Sequence, residues 1–212
     1  MTQLRSALAA GLLALALSTA GAAVPRAEIA VKNGEKIAFL GDSITQGGMG
    51  ATGYVTLVIH GLKSAGVQAT AIGAGISGHK SNDMLARLQR DVLDKKPDWM
   101  TLSCGVNDVW HGAKGVPLDA YQQNITEIVT KAQAAGIKVM ILTSTMIGEN
   151  AAEPNNAKLE PYNEFLRKLA QEKKCLLADL NADMHRELDA KEKDGRKRGN
   201  LTGRRRASGR DG

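Results

Sequence analysis

Three short segments of this sequence combine the residue types that acyl transfer needs. That reaction requires a nucleophile, hydrogen-bond donors for a developing oxyanion and a general base. In Gly41-Asp42-Ser43, Ser43 can present its hydroxyl as the nucleophile. The backbone N–H groups of Ser43 and Gly75 and the side-chain amide of Asn107 are candidate oxyanion donors. Three polar residues nearby in the sequence are candidate substrate contacts: Asp42, Asp108 and His111.

These residues lie at the ends of short apolar segments that alternate with segments of helical periodicity. Such alternation is typical of an α/β domain with a parallel sheet. The predicted strands are Lys36–Leu40, Gln68–Ile72, Trp99–Cys104, Lys138–Thr143 and Cys175–Leu180. The predicted helices are Tyr54–Ser64, one that starts near Ser81 or Asn82 and ends before Pro97, Leu118–Ala135, Pro161–Lys174 and Asn181–Lys193. Because ligands bind at the carboxyl ends of parallel strands, the loops that follow the strands should form the functional site.

The three segments resemble the motif blocks of the SGNH hydrolases, also called GDSL-type esterases and lipases. The resemblance covers about Lys36 to Asp189, with Gly41-Asp42-Ser43 as the first block, Gly75 in the second and Asn107 in the third. It implies a flavodoxin-like three-layer α/β/α sandwich with a five-stranded parallel sheet. It also implies that Ser43 is the nucleophile, that Ser43, Gly75 and Asn107 form the oxyanion hole, and that esters are hydrolysed without a metal or cofactor.

A dinucleotide-binding domain is an alternative, because residues 73–78 read Gly-x-Gly-x-x-Gly after a predicted strand. In that fingerprint the glycines open the helix directly, and an acidic residue follows the next strand. Here His79 and Lys80 intervene before the helix, and the next strand ends in Ser103-Cys104-Gly105. We therefore favour the hydrolase interpretation over nucleotide binding.

The general base is not identified by the sequence. The resemblance implies a histidine three residues after an aspartate, in a loop beyond the last strand, and no such pair occurs there. Of the four histidines, His60 falls within a predicted helix, and His79 and His111 follow earlier strands. His185 is closest in position, but Asp183 precedes it by only two residues.

The two ends of the chain differ from the body. Residues 1–22 carry Arg5, an apolar run and a small-residue site, which predicts a signal peptide and export to the periplasm or the extracellular space. Residues 23–190 form the predicted hydrolase domain, without the expected C-terminal catalytic loop and helix. No further segment is long and apolar enough to predict stable membrane insertion.

The basic excess of the chain lies entirely in residues 191–212. Nine lysines and arginines and three acidic residues there account for the formal charge of +6, and residues 1–190 are neutral. We predict this tail to be disordered and not to bind nucleic acid. It stands where the catalytic loop should be, which suggests a frameshift. If residues 203–208 use suitable codons, reading one base later can encode Val-Asp-Gly-Val-His-Pro.

The sequence contains two cysteines, Cys104 and Cys175, and an exported protein could pair them. Cys104 falls near the end of one predicted strand and Cys175 at the start of another. In a parallel sheet these positions lie at opposite edges, so we expect two unpaired thiols that pack as small apolar side chains.

The predicted function is that of a serine esterase whose activity is impaired by the missing base. Its substrate is a small-molecule or polysaccharide ester, with carbohydrate O-acetyl groups as the first candidate and lysophospholipids or thioesters next. The alternative is a non-catalytic protein that binds carbohydrate or acyl groups in the same cleft.

Overall fold

The computed structural model describes residues 28–150 and 153–193. The predicted signal peptide and most of the basic tail lie outside these residues. From Val31 onwards the described chain belongs to one compact unit. No helix in the described residues is both long enough and apolar enough to cross a membrane.

The centre of the fold is a parallel sheet of five strands in the order β2-β1-β3-β4-β5. The strands are β1 (Lys36–Gly41), β2 (Thr70–Gly75), β3 (Trp99–Ser103), β4 (Lys138–Leu142) and β5 (Leu176–Ala178). This is the flavodoxin-like order of doubly wound folds. The predicted α/β class and five-stranded parallel sheet are confirmed, with strand ends shifted by up to three residues.

In the described part of the chain, seven α-helices connect or follow the strands. They are α1 (Ser43–Gly48), α2 (Tyr54–Ser64), α3 (Ser81–Asp91), α4 (Val106–Trp110), α5 (Leu118–Ala134), α6 (Pro154–Glu172) and α7 (Leu180–Lys193). Two short 3₁₀ helices cover Leu93–Lys95 and Gly112–Lys114.

Each face of the central strands is buried against different helices. Ala38 and Leu40 of β1 belong to a large apolar cluster with residues of α3, α5 and α6. Ile37 and Phe39 point to the other face, where they pack with Val55 of α2. Because β1 is covered on both sides, its apolar residues form a continuous run instead of alternating with polar ones.

The helix predictions were incomplete in two respects. The short helices α1 and α4 are too brief to show a periodic pattern, so the sequence did not predict them. The helix predicted from Pro161 begins seven residues earlier, at Pro154, and Pro161 lies inside it. Proline suits the first turn of a helix, because the N–H groups of that turn have no partner within the helix and proline lacks this group. Pro154 lies in the first turn of α6.

The two cysteines are unpaired, as expected from their predicted positions. Cys104 is buried in the large apolar cluster, and Cys175 is half-buried at its edge. Burial raises the pKa of both thiols.

Glu35 stabilises the end of the sheet opposite the loops that carry the polar motifs. Its carboxylate accepts hydrogen bonds from the Lys32 N–H at 2.8 Å, the Trp99 indole at 2.7 Å and the Lys138 ammonium at 2.9 Å. Burial raises the pKa of Glu35, but these hydrogen bonds outweigh it and lower the pKa to about 2.

We expect Glu35→Gln to lower the free energy of unfolding at pH 7 by about 1–2 kcal/mol, because bonds to a charged group are lost. A carboxyl group with a depressed pKa stabilises the fold above its unfolded pKa and loses that effect as pH falls. The difference should therefore shrink between pH 4.5 and about pH 2. Urea unfolding across that range measures it, with the exposed Glu127→Gln as the control. A difference that stays constant with pH would contradict this account.

Candidate active site

A cleft lies at the carboxyl ends of β1 and β3, lined by residues that follow these strands. The sheet order makes these neighbouring strands the topological switch point, because the connections that leave them go to opposite faces of the sheet. The cleft has a volume of about 450 Å³. It is lined by Asp42, Ser43, Ile44, Ser77, Gly78, Val106, Asn107, Trp110, His111, Thr145, Met146, Ile147, Gly148 and Met184.

Ser43 is the first residue of α1 and is exposed in the cleft. The preceding residue, Asp42, caps this helix: its Oδ1 accepts the Ile44 N–H at 2.9 Å, and its carbonyl accepts the Gln46 N–H at 2.9 Å. Among the described residues, neither the N–H nor the hydroxyl of Ser43 has a hydrogen-bond partner. Both groups are therefore available to a ligand.

The structure does not place Gly75 in the cleft. Gly75 is the last residue of β2, paired with Gly41, and a Cβ atom on it would lie 2.3 Å from the Gln46 nitrogen. Its lack of a side chain lets α1 pack closely against the sheet. Gly75 is not among the residues that line the cleft, and its assignment as an oxyanion donor stays a prediction.

Gly78, three residues further on, lines the cleft instead. Its φ of +78° is a left-handed conformation that favours glycine. The flanking N–H groups are engaged, Ser77 with Gln46 Oε1 at 2.7 Å and His79 with the Ile76 carbonyl at 3.3 Å. In the described part of the chain the Gly78 N–H has no partner. Sequence reasoning missed it because several glycines in one loop look equivalent.

Asn107 lies in the first turn of α4, and its side-chain amide points into the same cleft as Ser43. Its Nδ2 donates to the His79 carbonyl at 3.0 Å and, over a longer 3.4 Å, to Asp42 Oδ2. The chain can turn sharply before α4 because Gly105 has a φ of +138°, and a Cβ there would lie 2.3 Å from Ser144 Oγ. The longer bond leaves one amide hydrogen that a ligand oxygen can take.

Two of the three candidate substrate contacts line the cleft. Asp42 is almost buried at its wall, and burial raises its pKa against the opposing hydrogen bond from Ile44. His111 is exposed at the rim. Trp110, next to it, is 40% exposed in the cleft, and the sequence motifs did not point to it.

Asp108 does not reach the cleft, which corrects its assignment as a substrate contact. It is only 2% exposed, and its Oδ1 accepts the Ser81 N–H at 3.0 Å and the Ser81 hydroxyl at 2.6 Å. The Cys104 thiol donates to its Oδ2 at 3.4 Å. Asp108 thus joins the turn after β3 to the first turn of α3, and its role is structural.

No described histidine makes a hydrogen bond to Ser43. His79 Nδ1 accepts a hydrogen bond from Arg87 Nε at 3.2 Å, and His60 is exposed on α2. His185 lies half-buried on α7, one residue after the cleft residue Met184. Within the described residues there is no group of three or more His, Cys, Asp or Glu side chains that could hold a metal ion.

Comparison with known proteins identifies the family. Residues 39–201 match the GDSL-like lipase/acylhydrolase family. That match spans most of the chain, includes all three motif segments and agrees with the sheet order. The chain belongs to this family of SGNH-type carboxylic ester hydrolases.

Several of the similar proteins are named as esterases. An acetylxylan esterase of Geobacillus stearothermophilus is 30% identical over 174 residues, which cover 72% of this chain and 78% of that protein. Esterase TesA of Pseudomonas aeruginosa is 33% identical over 141 residues, covering 66% of this chain and 64% of that protein. The crystal structure of the acetyl xylan esterase AlAXEase is 37% identical with a TM-score of 0.74, covering 79% and 88% of the two chains.

A second structural neighbour is Axe2, the acetylxylan esterase of Geobacillus stearothermophilus. It is 29% identical with a TM-score of 0.70, covering 76% of this chain and 83% of that chain. Solved catalytic mutants of Axe2 replace a serine, an aspartate or a histidine by alanine, and the aspartate stands three residues before the histidine.

We expect Asp108→Ala to lower the free energy of unfolding by about 2–4 kcal/mol, because it leaves the buried Ser81 donors without an acceptor. Thermal unfolding measures the loss. Asp119→Ala is a matched control, since Asp119 is an exposed acid in the first turn of α5. If Asp108→Ala were as stable as this control, the structural role of Asp108 would be wrong.

Proposed function

We propose that this chain is a serine esterase that forms an acyl-enzyme on Ser43. The observation that carries the proposal is that a nucleophile and two donors meet in one cleft. They are the Ser43 hydroxyl, the Gly78 N–H and an Asn107 amide hydrogen, whose bond to Asp42 Oδ2 is long at 3.4 Å. With the Ser43 N–H, the last two provide the donors that a tetrahedral oxyanion needs.

The reaction proceeds in two steps. Ser43 Oγ attacks the ester carbonyl carbon and loses its proton to a base, and the carbonyl oxygen becomes an oxyanion facing Gly78 and Asn107. The C–O bond to the leaving alcohol then breaks, and the alcohol takes up a proton. Water attacks the acyl-enzyme in the same way and releases the carboxylic acid and Ser43.

The base is the missing component of this proposal. No aspartate is followed three residues later by a histidine anywhere from residue 179 to residue 212. The catalytic mutants of Axe2 carry this spacing of aspartate and histidine. We infer that the chain with this sequence is impaired, retaining roughly 10³–10⁴-fold acceleration over water from the oxyanion donors and substrate binding.

The cleft supports an acetylated carbohydrate as substrate. Trp110 presents an exposed aromatic ring at the rim, and rings of this kind pack against the apolar faces of sugars. Met146 and Ile147 supply an apolar wall, while Asp42 and His111 supply polar groups. The acetylxylan esterase relatives favour the same class of substrate. The apolar run in residues 1–22 supports export, where polysaccharide esters would be met.

Labelling of Ser43 tests the nucleophile. We expect a fluorophosphonate probe to modify the purified protein stoichiometrically and p-nitrophenyl acetate and acetylated xylan to release acetate slowly. Ser43→Ala should abolish labelling and the formation of an acetyl-enzyme, and any turnover that it keeps comes from the oxyanion donors and substrate binding alone. Ser64→Ala, at the exposed end of α2, should leave labelling and turnover unchanged. Binding of xylo-oligosaccharides without labelling or turnover would favour the non-catalytic alternative.

The nucleotide sequence tests the frameshift. We expect a single-base shift before residue 203 to encode Val-Asp-Gly-Val-His-Pro followed by a segment of helical pattern. The protein from the restored frame should hydrolyse p-nitrophenyl acetate about 10³-fold faster, because it regains a base. Replacing the restored histidine by alanine is the control and should return the rate to that of the present chain. If no shifted frame contains this motif, the frameshift hypothesis is wrong.

A further inference from the structure

Arg87 is a buried cation close to the cleft that the proposed reaction does not use. It lies on the inner side of α3, and only 5% of it is exposed. A buried charge is tolerated when its donors are paired. Asp91 supplies the counter-charge at 3.0 Å, and hydrogen bonds from Arg90 and Arg87 help to lower the pKa of Asp91 to about 2.

The remaining donors of Arg87 hold the ends of two strands. Nη2 donates to the Gly41 carbonyl at 2.9 Å, and Nη1 donates to the Ala74 carbonyl at 2.8 Å. Gly41 ends β1 immediately before the turn to Ser43, and Ala74 lies at the end of β2 before the loop of Gly78. One guanidinium therefore connects the segments that carry the nucleophile and the glycine donor.

The third connection leads to Asn107. Arg87 Nε donates to His79 Nδ1 at 3.2 Å, and the His79 carbonyl accepts Asn107 Nδ2 at 3.0 Å. Because a guanidinium can only donate, this bond requires Nδ1 of His79 to be the unprotonated nitrogen. The bond to the carbonyl sets the plane of the Asn107 amide, so its second hydrogen is directed towards Asp42 and the cleft.

We propose that Arg87 is a positioning residue for the oxyanion site: through Gly41, Ala74 and His79 it sets the relative placement of Ser43, Gly78 and Asn107. The proposal rests on the esterase function inferred above. A lysine could not replace it, because an ammonium group donates from one point whereas the guanidinium reaches several acceptors in a plane. Arg87 acts through these residues and does not contact substrate.

Arg90 provides a matched control on the same helix. It also pairs with Asp91, at 2.7 Å, but it is 74% exposed, and among the described residues it makes no hydrogen bond to either strand end or to His79. Comparing Arg87→Lys with Arg90→Lys therefore separates the connection to the site from the general effect of changing an arginine on α3.

The full-length variants are compared by kinetics and by NMR. We expect Arg87→Lys to lower kcat for p-nitrophenyl acetate about tenfold or more with little change in KM, since the donors act on the transition state. It should also shift the side-chain amide signals of Asn107, assigned by their loss in Asn107→Ala. Arg90→Lys should change neither. Equal Asn107 signals and equal kcat in the two arginine variants would overturn the proposal.

A second pair of variants keeps the test decisive if Arg87→Lys does not fold. His79→Leu removes the acceptor of Arg87 Nε and should mimic the loss of Arg87. His79→Asn offers an amide oxygen as acceptor and should restore kcat and the Asn107 signals. If His79→Asn is as impaired as His79→Leu, the connection through the ring nitrogen is wrong.

Failure of the proposed esterase function can be distinguished from failure of the proposal for Arg87. If the fluorophosphonate probe labels wild type no more than Ser43→Ala, the esterase proposal fails. The NMR signals of Asn107 still decide whether Arg87 positions that side chain, because they do not depend on turnover.

Discussion

The strand order of the sheet is the constraint on which the site depends. β1 and β3 are hydrogen-bonded neighbours, but the chain leaves them towards opposite faces, so no connection covers the point where they end. Backbone groups and the first turns of α1 and α4 are left facing a crevice there. A nucleophile after β1 and an amide after β3 are then brought together by the sheet itself, although 64 positions separate Ser43 from Asn107 in the sequence.

Buried polar groups hold the loops around this crevice in place. Asp42 caps α1, Asp108 binds the first turn of α3, and Arg87 joins α3 to the ends of β1 and β2. Each such group loses hydration on burial and is stabilised only if its hydrogen bonds are made. Among the described residues the buried side-chain atom left without a partner is Thr101 Oγ1, on the sheet. The buried polar side chains near the cleft thus fix the geometry of the surrounding loops, and we expect substitutions of these side chains to be poorly tolerated.

This arrangement separates two parts of catalysis. In the proposed reaction, the oxyanion is stabilised by N–H groups that the sheet and its buried polar contacts hold in place. Proton transfer needs a side chain of suitable basicity at the nucleophile, and the described histidines make no bond to Ser43. A chain can therefore keep the geometry that binds and polarises an ester while lacking the group that accepts the proton of the serine.

The sequence by itself determined the fold class, the five strands and the residue types of the site, because periodicity and strand-end motifs are local signals. Ser43 and Asn107 were assigned in this way, and both line the cleft. Only the tertiary structure decided which neighbours of these residues reach the cleft. Gly75 is covered by α1 and Gly78 is open, and Asp108 turns inwards to Ser81. The short helices, the start of α6 at Pro154 and the contacts of Arg87 also needed the structure. The physical reason is that a hydrogen bond between distant segments depends on the path of the backbone in space, which residue types and their spacing along one chain do not contain.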